Sequence, residues 1–140
     1  MVDLEDIQTA LRTERTIDIV TLGARTGLSR TTEIWFTNIA RRIFICGAPS
    51  TGAGRGERAP RDWLANLVAQ PAFEFCLKES IQAKLTATAT PVRELKERRA
   101  VMSAAQTRWY REQGFSVDEL VAGAAIVDVV FTGVFSGLNG

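Results

Sequence analysis

The sequence predicts a mainly β domain with flanking helices, its six mostly antiparallel strands closed into a small barrel. Three observations carry that expectation. Six runs rich in β-branched and aromatic residues recur near positions 17–22, 34–39, 43–45, 73–77, 81–89 and 126–135, which is strand composition. Few of them alternate apolar with polar residues, so an open sheet would leave adhesive edges that closure removes. And 140 residues make one domain, 1–140, burying about two thirds of its unfolded surface around a single core.

Asp3 can cap a first helix whose inward face is Leu4, Ile7 and Leu11. A β-branched run begins after Glu14, and the first three strands follow through Ile17, Ile19 and Leu22, then Ile34, Trp35 and Phe36, then Ile43, Phe44 and Ile45. Pro49 to Pro60 contains Gly52, Gly54 and Gly56 with Arg55 and Arg58, a loop by composition. Its Gly-x-Gly-x-Gly is no dinucleotide fingerprint, because Glu57 stands where the third glycine belongs, and no P-loop, because Gly-Lys-Ser/Thr does not follow. Pro60 can open a second helix with Asp62 in its first turn and Trp63, Leu64, Leu67 and Val68 as its apolar stripe.

Phe73, Phe75 and Leu77 alternate with Glu74, Cys76 and Lys78, and Ile81, Ala83, Leu85, Ala87 and Ala89 alternate with Gln82, Lys84 and three threonines. The alanines leave room for something to approach closely. Val92 to Gln113 reads as one long helix with Leu95, Met102, Ala105 and Trp109 inward, stopped by Gly114. Its run Lys96 to Arg99 is a solvated face rather than a nucleic-acid patch, since Glu94, Glu97 and Glu112 interrupt it. Ser116 and Glu119 have capping-box spacing for a short helix. The last run, Ile126 to Phe135, is apolar nearly throughout, as in a strand covered on both sides, central in the sheet or buried by a partner subunit.

Composition narrows the function. No histidine is present, which excludes Ser-His or Cys-His hydrolysis and histidine-rich metal sites; no metal ligand set is expected. A net charge of +1 gives no global attraction to nucleic acid or anionic membranes. No apolar run is long enough to span a bilayer, and the acidic start lacks the regions of a signal peptide, so a cytoplasmic location is expected. In that setting Cys46 and Cys76 are expected as free thiols among apolar neighbours.

The stretch with chemistry is the bend Arg25-Thr26-Gly27-Leu28-Ser29-Arg30 between the first two strands. Two guanidiniums, two hydroxyls and a glycine that lets backbone N–H groups approach could hold a phosphate or carboxylate. The same residues also suit a solvated surface turn.

Taken together, several pieces resemble the deazaflavin-dependent nitroreductase group of the pyridoxamine-phosphate-oxidase-like, FMN-binding split barrels. They are Asp18 to Gly23 before Arg25-Thr26-Gly27, Arg30-Thr31 before Trp35-Phe36, Ala48-Pro49, and Arg61 to Leu67 followed by Pro71. The resemblance implies a homodimeric six-stranded antiparallel split β-barrel binding FMN or a deazaflavin coenzyme near the subunit interface. By analogy Arg25, Thr26, Gly27, Ser29, Arg30 and Thr31 meet the cofactor's phosphate or acidic tail, Ser50 and Arg55 close over it, and backbone groups of Ile34, Trp35 and Phe36 line its ring. Trp63 and Asn66 fix their helix against that groove. The sequence departs from the family pattern at Glu33, where proline is usual, and at Arg61, near the place of a common histidine. With Tyr110 the only tyrosine, the aromatic pocket some members use for substrate is thin.

The expected function is a flavin- or deazaflavin-dependent oxidoreductase that reduces a small, planar, electron-poor substrate such as a quinone, enone or nitro compound. No catalytic residue is assigned, because in such enzymes the cofactor carries the chemistry and the protein positions it. The alternative is a barrel that binds such a cofactor, or an apolar ligand, without turnover.

Overall fold

The computed structural model describes residues 2–49 and 62–138. Its six strands are β1 (Thr16–Leu22), β2 (Ser29–Ile39), β3 (Arg42–Gly47), β4 (Ala72–Leu77), β5 (Ala83–Pro91) and β6 (Ala125–Phe131). They close in the order β1-β2-β3-β6-β5-β4, and each neighbouring pair is antiparallel. The helices are α1 (Leu4–Thr13), α2 (Asp62–Ala69), α3 (Leu95–Ser103), α4 (Arg108–Glu112) and α5 (Val117–Gly123). No helix among the described residues is long and apolar enough to cross a membrane.

Side-chain alternation sorts the apolar residues into two cores. One fills the barrel and its helix-covered ends: Ile17, Phe36, Ile45, Phe75, Leu85 and Phe131 from the strands, Ile7 and Leu11 from α1, Trp63 and Leu67 from α2. Phe75 stands at its centre, with edge contacts to Phe36 and Phe131 at ring separations of 5.2 and 5.1 Å. The other lies outside β3 and β6, where Phe44, Cys46 and Ile126 pack under Val101, Met102, Tyr110 and Leu120 of α3, α4 and α5. Arg42 pins this layer to the barrel through Glu97 of α3 (2.7 Å) and Asp128 of β6 (3.0 Å). Both cysteines are free thiols.

The alanines of β5 are small because large neighbours flank them. Ala87 pairs with Phe73 on one side and Phe131 on the other, so a bulkier residue would meet two rings.

Helix ends follow local chemistry. The Asp3 carboxylate accepts the Asp6 N–H at 2.9 Å, and Ser116 with Glu119 forms the expected capping box, each side chain accepting the other's backbone N–H. Both groups satisfy amides that would otherwise lack partners.

Two expectations change. The long helix breaks: Ala104 is extended (φ −70°, ψ 154°), and a 3₁₀ turn over Ala105–Thr107 leads into α4. The buried Thr107 hydroxyl donates to the Val101 carbonyl (2.6 Å), and Arg111 donates to the carbonyls of Met102 (2.5 Å) and Ala104 (3.2 Å). These side chains replace the helical bonds lost at the break, and Leu95, expected inward, is 67% exposed. The last strand ends at Phe131, with Gly133 (φ 66°) turning the chain into a 3₁₀ turn. Of the two ways expected to cover the last strand, the structure shows the central one: β6 lies between β3 and β5, with Val127, Val129 and Phe131 in the barrel core, Ile126 under the outer helices and Val130 half exposed.

Candidate cofactor-binding site

The bend between β1 and β2 is closed by its own backbone. The Gly23 N–H donates to the Leu28 carbonyl (2.8 Å), the Gly27 N–H donates to the Gly23 carbonyl (2.9 Å), and the Leu28 N–H donates to Thr26 Oγ1 (3.2 Å). Gly27 sits at φ 71°, where glycine meets no steric penalty. A Cβ on Gly23 would lie 2.6 Å from Thr26 Oγ1, so the hydroxyl's role in the turn requires glycine there.

This closure changes what the bend can offer. The Gly27 and Leu28 N–H groups already have partners within it, so these two amides are not available to a ligand. Arg25, Thr26, Ser29, Arg30 and Thr31 are all exposed. Across the ladder Thr21 pairs with Arg30 and Val20 with Thr31. Arg30 shares the parity of Ile34 and Phe36, which lead into the barrel, and emerges at its rim; Thr31 shares the outer face with Glu33 and Trp35.

One helix residue fastens the bend. Asn66 of α2, only 5% exposed, accepts the Ala24 N–H on Oδ1 (2.8 Å) and donates from Nδ2 to Thr21 Oγ1 (3.1 Å).

Between the bend and Trp35 the barrel parts. β2 pairs with β1 from Ser29 to Trp35, but with β3 only from Phe36↔Ile45 onward to Ile39↔Arg42. Among the described residues, the β3-facing edge of β2 at 29–35 therefore has no strand partner. The Phe36 N–H donates to the Arg15 carbonyl on the β1 side (2.8 Å). Antiparallel alternation then turns the Ile34 groups to β1 as well, and those of Thr31, Glu33 and Trp35 to the open edge.

The three ring-lining residues are thus not equivalent. Phe36 buries its ring in the barrel and engages its N–H with Arg15, and the half-buried Ile34 side chain also packs on that core. Trp35 offers its backbone to the open edge and its indole, 36% exposed, to the outer face. There Trp35 meets Trp109 edge to face, ring centroids 5.2 Å apart and nearly perpendicular, and the Arg15 guanidinium stands over the Trp35 ring, 4.6 Å from its centroid. The cleft that Trp35 lines with Arg15, Gln106 and Tyr110 is about 10 Å³, room for one water, so a ligand would lie outside it and not within it. Ser50 and Arg55 lie outside the described residues.

The outer face beside Thr31 holds a groove of about 460 Å³, lined by Asp18, Val20, Thr31, Cys76, Lys78 and Lys84 among others. Lys78 bridges Asp18 (2.8 Å) and Glu33 (2.5 Å), and hydrogen bonds to these two carboxylates, Asp18 first, raise its pKa. The Glu33 charge is therefore balanced where it borders the open edge. Burial, with Glu74 nearby, raises the pKa of the Cys76 thiol, which makes it a poor nucleophile.

The sequence reading expected the bend and Asn66 at this place but not Arg15, Lys78 or Trp109, which the structure brings beside them. These reach it from neighbouring strands and the outer helical layer, far apart in sequence, and no spacing rule reports such contacts.

No family model matches the chain, and no curated protein matches it in sequence. Solved structures do match in fold. An F420 reductase superposes with a TM-score of 0.62 at 12% identity, covering 90% of this chain and 93% of that one. A FAD-binding protein from Mesorhizobium loti gives 0.64 at 9%, covering 94% and 90%. A protein of the pyridoxinephosphate oxidase family from Clostridium acetobutylicum, related to general stress protein 26, gives 0.63 at 11%, covering 94% and 86%. At these identities the likeness establishes the barrel fold, and the expected structural resemblance is borne out.

Proposed function

We propose that this protein is a flavin- or deazaflavin-dependent oxidoreductase that reduces a small, planar, electron-poor substrate, a quinone, enone or nitro compound, by hydride transfer. The observation that carries the reading is the parting of β2 from β3 beyond Phe36↔Ile45. Among the described residues it leaves the backbone groups of Thr31, Glu33 and Trp35 without a strand partner, between the indoles of Trp35 and Trp109 and a guanidinium-bearing rim. Arg30 and Trp35 are five residues apart, about 17 Å of strand, a track suited to an extended coenzyme with a charged tail and a planar head.

In this reading Arg25 and Arg30, with the hydroxyls of Thr26, Ser29 and Thr31, hold the tail, each charge-assisted bond contributing about 1.5 to 3 kcal/mol. The Trp35 N–H and C=O address the edge of the ring, with Ile34 and Phe36 holding that strand in place, and Trp35 with Trp109 excludes water from one side of it. The bound coenzyme supplies the hydride. The fold neighbours described as an F420 reductase and a FAD-binding protein support a cofactor of this class.

The test is direct. Absorbance of the purified protein reports a bound ring and its type, and titration with FMN and the deazaflavin coenzyme gives micromolar or tighter dissociation constants for one of them. Arg25→Ala together with Arg30→Ala weakens that cofactor by at least tenfold. If neither cofactor binds saturably, the reading is lost. Tight binding without turnover across quinone and nitroaromatic panels instead favours the non-catalytic alternative.

We also propose a homodimer. The edge formed by Thr31, Glu33 and Trp35 has no strand partner among the described residues; such edges are ordinarily covered, and a second subunit is one way to cover this one. Light scattering at micromolar concentration reads twice the chain mass; a monomer contradicts the proposal.

A further inference from the structure

We infer that Asn66 is a positioning residue for the anion-holding bend, setting through Ala24 the place of Arg25. This rests on the reading that the bend holds the charged tail of a cofactor.

Asn66 occupies a position where a hydrophobic residue would serve stability better. On α2 it lies three residues after Trp63 and next to Leu67, both in the barrel core, and it shares their buried face. A buried carboxamide is costly unless its bonds are made, and here both ends are engaged. A backbone N–H can only donate, so the atom facing Ala24 at 2.8 Å is Oδ1. The NH₂ end therefore faces Thr21, itself 1% exposed, and donates to its hydroxyl at 3.1 Å.

The two partners differ in kind. Thr21 belongs to β1 and is fixed by the barrel. Ala24 belongs to the tip of the bend, beyond the last ladder pair Leu22↔Ser29, where the Gly23, Gly27 and Leu28 N–H groups all bond within the bend. The Ala24 N–H bond ties the bend to a helix seated in the core, and Arg25 follows Ala24 directly. Asn66 thus couples the orientation of the cationic residues to the rigid body of the protein without touching a ligand itself.

The experiment compares whichever cofactor binds, FMN or the deazaflavin coenzyme, with its phosphate-free parent, riboflavin or the phosphate-free deazaflavin. Asn66→Leu is expected to weaken the cofactor about tenfold, equal to about 1.4 kcal/mol, and to leave the parent within about twofold. Combined with Arg25→Ala, it adds little to the loss that Arg25→Ala causes alone, because residues acting through one another are not additive. If Asn66→Leu does not fold, Thr21→Val removes one partner of the carboxamide and gives a smaller loss of the same selectivity.

Equal weakening of cofactor and parent, or full additivity with Arg25→Ala, overturns the positioning role. If Arg25→Ala itself leaves cofactor affinity unchanged, the bend does not hold the tail through Arg25, and the positioning role of Asn66 is overturned with that reading.

Discussion

The Glu79 carboxylate accepts the backbone N–H groups of Arg15 (2.8 Å) and Thr16 (2.6 Å), joining the β4–β5 turn to the corner between α1 and β1. Glu14 returns the tie by accepting the N–H and hydroxyl of Ser80. The bonds from Thr16 and then Arg15 hold the Glu79 carboxyl below its usual value of 4.5. A group depressed in the folded state stabilises fully above its unfolded pKa, and loses that contribution as pH falls through the folded value. Glu79→Gln, which keeps the shape and lacks the charge, is therefore expected to cost about 1 kcal/mol at neutral pH, reduced by solvent screening. Thermal melts from pH 6 to pH 3 check it: the gap between wild type and variant closes as the medium acidifies, and parallel curves would contradict the assignment. At the same scale the arginines and glycine of the bend were legible in the sequence, because residue type dictates their chemistry. The opposite destinations of the adjacent Trp35 and Phe36 side chains were not, since both residues suit either face of a strand.

Among the elements, the β2–β3 hairpin carries a visible local conflict. Ile39 pairs with Arg42, so the loop is Ala40-Arg41, and both residues have positive φ, 51° and 73°. Two-residue hairpins need that geometry, and Asn-Gly adopts it readily where side chains with a constrained Cβ do not. Asn38 partly compensates, accepting the Arg41 N–H (3.0 Å) and donating to the Leu11 carbonyl (3.1 Å), which also moors α1. Ala40→Asn with Arg41→Gly leaves both bonds in place and is expected to stabilise by about 1 to 2 kcal/mol after glycine's larger unfolded-state entropy is subtracted. Differential scanning calorimetry reads this as a rise of about 3 to 8 °C; a lower melting temperature would show that the turn is not strained. Element order and type were legible from periodicity almost throughout. The break at Ala104 was not, because it depends on Thr107 and Arg111 reaching back to carbonyls, and hydrophobic spacing does not report hydrogen bonds.

For the molecule as a whole, closure followed from how little wet face the strands have, and the barrel is indeed closed. What the pattern could not say is which surface covers which strand: the apolar β6 is sheathed by its own helices and core, a contact between distant parts of the chain. The interior raises the sharper question of whether the barrel is a container. Ala87 and Ala89 are buried on β5, and a row of small residues could line a cavity for an apolar ligand. Here Phe73 and Phe131 flank Ala87 and Val129 pairs with Ala89, so the chain's own side chains take up that space. Ala87→Leu is accordingly expected to overpack the core and to cost about 1 to 3 kcal/mol of stability. Cofactor affinity, measured on the folded fraction, stays within about twofold, because the proposed site lies on the outer edge of β2 and not inside. Were the variant instead as stable as wild type, the interior would have spare room. Were it to lose affinity out of proportion to stability, the ligand would belong inside the barrel, and the open edge of β2 would need another explanation.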